Sequence, residues 1–279
     1  MMQYSISTIT NSQPLKDLLI SVVIPTLNSE ETIRTTLVSI KHQTYKNLEV
    51  IVVDGLSNDS TLNIVKEHIP AACILSRKAS GIWDAINHGI SHSKGDYLFS
   101  LNSDDLVSSY AIEDLVRTAH HGDFDAVWLS TYSAGGFKGF VRENRRWLGM
   151  DKVCPGHSAS FFVKRSVHVE LGLYDKNIRF CADHAFFHKM ILTRKKISIL
   201  SANRRAYGVF TQGGYSYHNS YLSKATEELR YRIPYAHCDV SDFIFCFIIY
   251  PLKVLWHIKK SAAGFFRRLL QMRRPPGIE

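Results

Sequence analysis

The chain runs to 279 residues, 45% hydrophobic and 21% charged, with 16 Gly and 8 Pro. That balance excludes collagen-like, low-complexity and wholly disordered chains, and the length can bury one large α/β core or a core plus an appendage. A net charge of +9 calls for an anionic partner, whether nucleic acid, anionic lipid or a phosphorylated small molecule, and composition alone does not choose among them.

Residues 20–24 (ISVVI) are an apolar, β-branched run stopped by Pro25, the pattern of a buried parallel strand. Asn28-Ser29-Glu30-Glu31 has capping-box spacing, with Asn28 as N-cap and Glu31 at the third position after it. Ile33, Leu37 and Ile40 then follow at helical spacing. Residues 48–53 (LEVIVV) predict a second strand ending at Asp54-Gly55, and Ser57-Asn58-Asp59 caps a helix running to about His68. A weaker strand is predicted over 72–75, a short helix over 82–90 with Ile82, Ile86 and Ile90 on one face, and a strand over 97–101 ending at Asn102-Ser103-Asp104-Asp105. Further on, 126–130 and 158–163 read as strands and 182–192 as a helix, joined by glycine-bearing connections at 135, 136, 139 and 149.

This βαβαβαβ order predicts a mostly parallel sheet with right-handed crossovers. Such sheets bind ligands beyond the carboxyl ends of their strands, which lines up residues 25–28, Asp54 and residues 102–105 on one rim. The five cysteines are widely spaced and form no CxxC pair, which suits a reducing cytosol and argues against a disulfide framework or structural zinc. The N-terminus lacks the basic segment and apolar run of a signal peptide. The longest charge-free apolar stretch, 243–252, is half of the roughly 20 residues a membrane span needs, so no transmembrane helix is expected.

Adjacent carboxylates such as Asp104-Asp105 at a strand end repel unless a cation or donors offset them. In isolation the pair reads more readily as a helix cap, Asp105, beside a solvated turn residue, Asp104. The pair is not isolated. SVVIPTLNSEETI, VIVVDGLSNDST, SGIWDAINHGISHSKGDYLFSLNSDD, HSASFF, CADHAFF and Gly213-Gly214-Tyr215-Ser216 stand in the order seen in family 2 glycosyltransferases of the GT-A fold. The chain resembles that family over about residues 20–192, and within it the bacterial transferases that build capsule, exopolysaccharide or O-antigen.

The resemblance implies a GT-A α/β fold and a role for each matching residue. Pro25, Thr26, Asn28 and Glu30 correspond to the first nucleotide-contacting loop. Asp54 corresponds to the carboxylate that accepts a hydrogen bond from the base, although before Gly55 it is equally a turn former. Asp84, with Asn87 beside it, corresponds to a carboxylate near the ribose and diphosphate, or else to a solvated helix position. Asn102-Ser103-Asp104 occupies the DxD position, with Asp104 as principal ligand of Mn²⁺ or Mg²⁺, Asp105 as supporting ligand, and Asn102 replacing the first acid. Ala79 stands where relatives often carry an acid. Asp183 corresponds to the general base that deprotonates the acceptor hydroxyl, against the plainer reading of a helix N-terminal charge. His184 is a rival base, and His157 lines the acceptor side.

The implied activity is metal-dependent inverting transfer of a sugar from a nucleotide diphosphate sugar, most simply UDP-linked, to a hydroxyl of a lipid-linked glycan. The implied organisation is an extension (1–19), a donor half (20–125), an acceptor half (126–241) and a tail (242–279). The tail concentrates the charge. From residue 251 onward, seven Lys and Arg face Glu279 alone, a net +6 of the chain's +9 in 29 residues, interleaved with Leu, Ile, Phe and Trp. That is the composition of an amphipathic helix lying on anionic lipid, or of a helix packed on its own domain. With only +3 left on residues 1–250 and no nucleic-acid-binding motif, nucleic acid is set aside as a partner. The expected location is the cytoplasmic face of the inner membrane. Two rival readings are a membrane-bound scaffold that has lost transfer, suggested by Asn102, and a sugar-phosphate nucleotidyltransferase, disfavoured by the lack of a Gly-rich basic loop near residue 25.

Overall fold

The computed structural model describes residues 17–133, 136–138, 148, 161–193, 195–200, 207–209 and 221–272. His157 and the Gly213–Ser216 motif residues lie outside them. The first half follows the predicted order: β1 (Ile20–Thr26), α1 (Ile33–Lys41), β2 (Leu48–Asp54), α2 (Thr61–His68), β3 (Cys73–Ser76), α3 (Ile82–His92) and β4 (Tyr97–Ser100). β5 (Leu106–Val107), α4 (Ala111–His121), β6 (Ala126–Leu129), β7 (Thr131–Ser133), β8 (Gly136–Lys138), β9 (Phe161–Lys164), α5 (Arg165–Leu171), α6 (Ala182–Leu192), β10 (Ile197–Leu200), β11 (Gly208–Val209) and α7 (Tyr221–Arg232) complete the globular part.

One seven-stranded sheet, in the order β10-β6-β9-β4-β1-β2-β3, takes strands from both halves of the chain. Its pairings are parallel except at β9, which runs antiparallel to both β4 and β6. The strands are apolar in successive residues because both faces are covered. Val22, Ile24, Val50 and Val52 pack under α1, α2 and α4, while Val23, Ile51 and Val53 meet Ala85 of α3 on the opposite face. At Gly89 the approach of α3 to the sheet is so close that an added Cβ would collide with Val23. The strand order reverses between β1 and β4, with β2 and β3 laid on one side of β1 and β4 on the other, so the ligand crevice of this sheet type opens beside Thr26 and Asn102. A small sheet of β5, β11, β7 and β8 adjoins it.

One expectation is corrected. The capping box does not form: α1 starts at Ile33 with Thr32 as a cap that makes no side-chain capping bond, because Asn28 uses its side chain on the neighbouring loop. The tail is helical from residue 240 to residue 272. α8 (Val240–Ile244), a π-helical turn (Phe245–Ile249) and α9 (Tyr250–Met272) follow one another without a break. Within them the 21 residues Val240–Lys260 are long and apolar enough to cross a membrane by length and composition. The charge-free run 243–252 is bounded by Asp242 and Lys253, and of the two Asp242 is sealed inside the fold, where the carboxylate meets Arg232 and His188.

Candidate active site

Three polar loops meet at the carboxyl ends of β1, β2 and β4. Thr26 pairs with Asp54 across the sheet, and the Gly55 amide donates to the Thr26 carbonyl at 2.8 Å. Asp54, 1% exposed, accepts from the amides of Leu56 and Ser57 and from the Ser57 hydroxyl at 2.5 to 3.2 Å. That network holds Leu56 at a φ of 70°, a left-handed conformation that costs a side chain about 1–2 kcal/mol. The turn-forming reading of Asp54 is therefore realised in full.

The first loop is sewn to the second. Asn28, itself at φ 47°, donates its amide to Ser57 Oγ at 2.9 Å and accepts from the Asn58 amide at 3.0 Å. The carboxylate of Glu30 receives the Ser60 amide at 2.9 Å, where α2 begins. Ser29 Oγ then reaches Ser103 Oγ of the third loop at 2.9 Å. Ser29 and Ser57 are the missed parts of this rim; their signal was their place within one residue or three of a strand-end motif residue.

In the third loop the two acids part company. Asp105 is 2% exposed, accepts from the Asn102 side-chain amide at 2.9 Å, and takes the Thr36 hydroxyl on its carbonyl. Asp104 stays half-buried on the rim. Asn102 in place of an acid thus has a local reason: its amide donates to Asp105, where a second carboxylate would repel it. Among the described residues no three His, Cys, Asp or Glu side chains converge as a complete metal cage.

Asp84 sits in the first turn of α3, accepting the Ser80 amide at 3.0 Å and the Arg77 guanidinium at 2.7 Å. The Ser80 bond first, and the Arg77 charge with it, hold its carboxyl below the usual range. Arg77 was not predicted; it follows β3 directly, donates its amide to the Asp54 carbonyl, and so joins Asp54 to Asp84. Asn87 is spent elsewhere. Its amide bonds the carbonyl and the N–H of Tyr174 at 2.7 and 3.0 Å, and Trp83 donates to the Arg179 carbonyl at 3.1 Å.

These contacts staple α3 to the segment leading into α6, where Asp183 occupies the first turn. Asp183 is half-buried and accepts from the His184 amide at 2.9 Å, with His184 half-buried beside it. Burial pushes the neighbouring Cys181 thiol up, which leaves it inert as a nucleophile.

A PGL/p-HBAD biosynthesis glycosyltransferase of Mycobacterium bovis is 30% identical over 202 residues, 67% of this chain and 77% of the relative. An uncharacterized glycosyltransferase of Rickettsia typhi is 26% identical over 186 residues, and the match spans 58% of that relative's length. In fold, the chain is similar to Staphylococcus aureus TarS 1–349 solved with UDP-GlcNAc, with TM-score 0.66 and 19% identity over 82% of this chain and 70% of that one. It is also similar to the mannosyltransferase PcManGT from Pyrobaculum calidifontis solved with GDP-Man and Mn²⁺, with TM-score 0.60 and 16% identity over 92% and 81%. Residues 21–197 match the family described as glycosyl transferase family 2. Because that match starts at the second residue of β1 and ends at the first of β10, it takes in all three rim loops and the start of α6, and the chain belongs to glycosyl transferase family 2.

Proposed function

We propose that this glycosyltransferase moves a sugar from a UDP-sugar to a hydroxyl of a lipid-linked surface glycan, with inversion at the anomeric carbon. The observation that carries the reading is the sewing of loops 25–30, 54–61 and 102–105 into one rim at the switch point of the sheet. A nucleotide diphosphate laid there meets the Asn28 loop, braced through Ser57 by the buried Asp54, at one end and Asp104 at the other. Structural relatives crystallised with UDP-GlcNAc or with GDP-Man and Mn²⁺ support a nucleotide sugar and a divalent ion.

With Asp105 withdrawn into the fold, Asp104 is the rim carboxylate that would hold Mg²⁺ or Mn²⁺, ions that take oxygen ligands and need few of them from protein. When bound, the ion neutralises charge developing on the leaving diphosphate. Asp183 takes the proton from the acceptor hydroxyl, whose oxygen attacks the anomeric carbon as the bond to the diphosphate breaks. Direct displacement converts an α-linked donor to a β-linked product. Asp183→Asn is expected to bind UDP as wild type does and to lose transfer by about 10²–10⁴-fold. If wild type with Mn²⁺ neither binds UDP nor hydrolyses any of a panel of UDP-sugars, the reading fails.

The tail supports peripheral attachment to an anionic bilayer. Phe243, Phe247, Leu252, Leu255, Trp256 and Ile258 are exposed on a helix that also carries Lys253, Lys259 and Lys260. Lysines recurring along the helix favour a rod lying in the headgroup region over one that spans. Truncation after Ile249 spares the buried Asp242, Phe245 and Cys246 and is expected to abolish flotation with phosphatidylglycerol vesicles. A full-length chain that resists alkaline carbonate extraction would show a span instead.

A further inference from the structure

α6 begins at Ala182, and nothing in the helix itself fixes where it begins: its N-cap, Cys181, makes no side-chain capping bond. The segment before it, residues 174–181, is held from two sides. On one side are the bonds from Trp83 and Asn87 of α3. On the other is Glu227 of α7, whose two carboxylate oxygens accept the consecutive amides of Arg179 at 2.9 Å and Phe180 at 2.8 Å. The Cys181 thiol adds a weaker contact to the Lys224 carbonyl, one turn earlier on α7, at 3.7 Å. α7 cannot turn to release them, because Glu228, next to Glu227, is buried against Arg232 at 2.8 Å, and Arg232 binds Asp242 at 2.7 Å.

We propose that Glu227 is a positioning residue for transfer: it fixes the entry to α6 and thereby the place of Asp183, resting on the reading of Asp183 as base. The chemistry is that of a carboxylate receiving two N–H donors where a helix starts, favoured by the positive end of the helix dipole. Because Glu227 satisfies the amides of Arg179 and Phe180, Asp183 makes, among the described residues, the local bond to His184 with one oxygen and has the other for the acceptor proton.

The test compares wild type, E227Q and E227A with a UDP-sugar and its acceptor, beside hydrogen exchange of the peptide covering 174–183. Displacement of a catalytic group by about 1 Å costs roughly 10²-fold, so E227A is expected to lose about that much kcat with donor KM within about twofold. E227Q keeps one acceptor oxygen and is expected to fall between the two. The Arg179 and Phe180 amides should lose protection in E227A. Wild-type kcat in E227A, retained protection, or E227Q no better than E227A with KM and thermal stability collapsing together would each overturn the proposal. A wild type that transfers and hydrolyses nothing overturns the reading of function beneath it, whereas a working wild type beside an equally fast E227A overturns the positioning role alone.

Discussion

The rim of polar loops and the block formed by α6, α7 and α8 solve opposite problems with different side chains. On the rim, Asn28, Ser29, Ser57 and Ser103 bond one another across loops that remain near solvent, and the acids there rest against neutral donors or one exposed arginine. In the block, Arg232, Asp242, His188 and Glu228 are withdrawn from water altogether. His188 Nε2 donates to Asp242 at 2.9 Å, Arg232 Nε binds the same carboxylate at 2.7 Å, and the guanidinium lies 4.2 Å from the Phe245 ring centre. Groups that must meet a ligand are held by bonds a ligand can share. Groups that only hold helices together are sealed.

Breaking the sealed set should therefore cost fold, and breaking the rim should cost chemistry. Arg232→Met leaves two buried carboxylates around a lost cation, and loss of one partner of a buried pair costs about 3–5 kcal/mol. Urea unfolding of Arg232→Met should register that loss; a change below about 1 kcal/mol would show that the cluster is hydrated in solution. Asp104→Ala should do the reverse. Loss of a group acting on transition-state charge costs about 10²–10³-fold, roughly 3–4 kcal/mol, in transfer. Its melting temperature should move little, since surface substitutions stay within about 0.5 kcal/mol. Parallel loss of fold and activity in Asp104→Ala would erase the contrast.

The same contrast governs what the sequence made legible. β1 to β4 announce themselves by apolar runs and close on short motifs, so the rim could be assembled residue by residue. What pattern reading misjudged there was the destination of side chains. Asn28 has the spacing of an N-cap yet bonds Asn58, thirty residues on, and Asn87 serves the backbone of Tyr174. Asp105 and Asp104 are indistinguishable in sequence, and only the Asn102 amide and the buried turn separate them. α4 carries a regular stripe of Ile112, Leu115, Val116 and Ala119 and was open to prediction. Glu227, Arg232 and Asp242 were not: each acts on partners in another element, and α7 reads as a polar surface helix until its neighbours are known.

His168 tests the acceptor side by pH. It is buried, stacked on Phe186 at 4.5 Å, and desolvation lowers its pKa to about 4. The native imidazole stays neutral while the unfolded one takes a proton below about pH 6.5, so stability falls as pH drops from 6.5 towards 4. A shift of about two and a half units corresponds to roughly 3 kcal/mol at the acid end. His168→Phe is expected to flatten that decline in melting temperature between pH 6.5 and 4. An unchanged slope would assign the acid sensitivity to other groups.

The smallest expected effect lies at Arg77, and it separates two causes acting on one carboxylate. Asp84 is held below its usual range first by the Ser80 amide and then by the Arg77 charge. Arg77 is itself more than a third exposed, so its ion pair contributes at most about 1 kcal/mol to stability. In the native protein a depressed carboxylate contributes stability above its unfolded pKa and loses it as pH falls through the folded one. Removing the guanidinium should leave most of that acid-side behaviour in place, because the backbone donor remains. Carbon-detected titration of the Asp84 carboxyl in Arg77→Ala should find it still below the ordinary range of an aspartate, raised from wild type by the smaller share of the shift. A full return to the ordinary range would make Arg77 the organiser of this end of the rim, and the charged guanidinium, not the Ser80 amide, would then set the ionisation of Asp84.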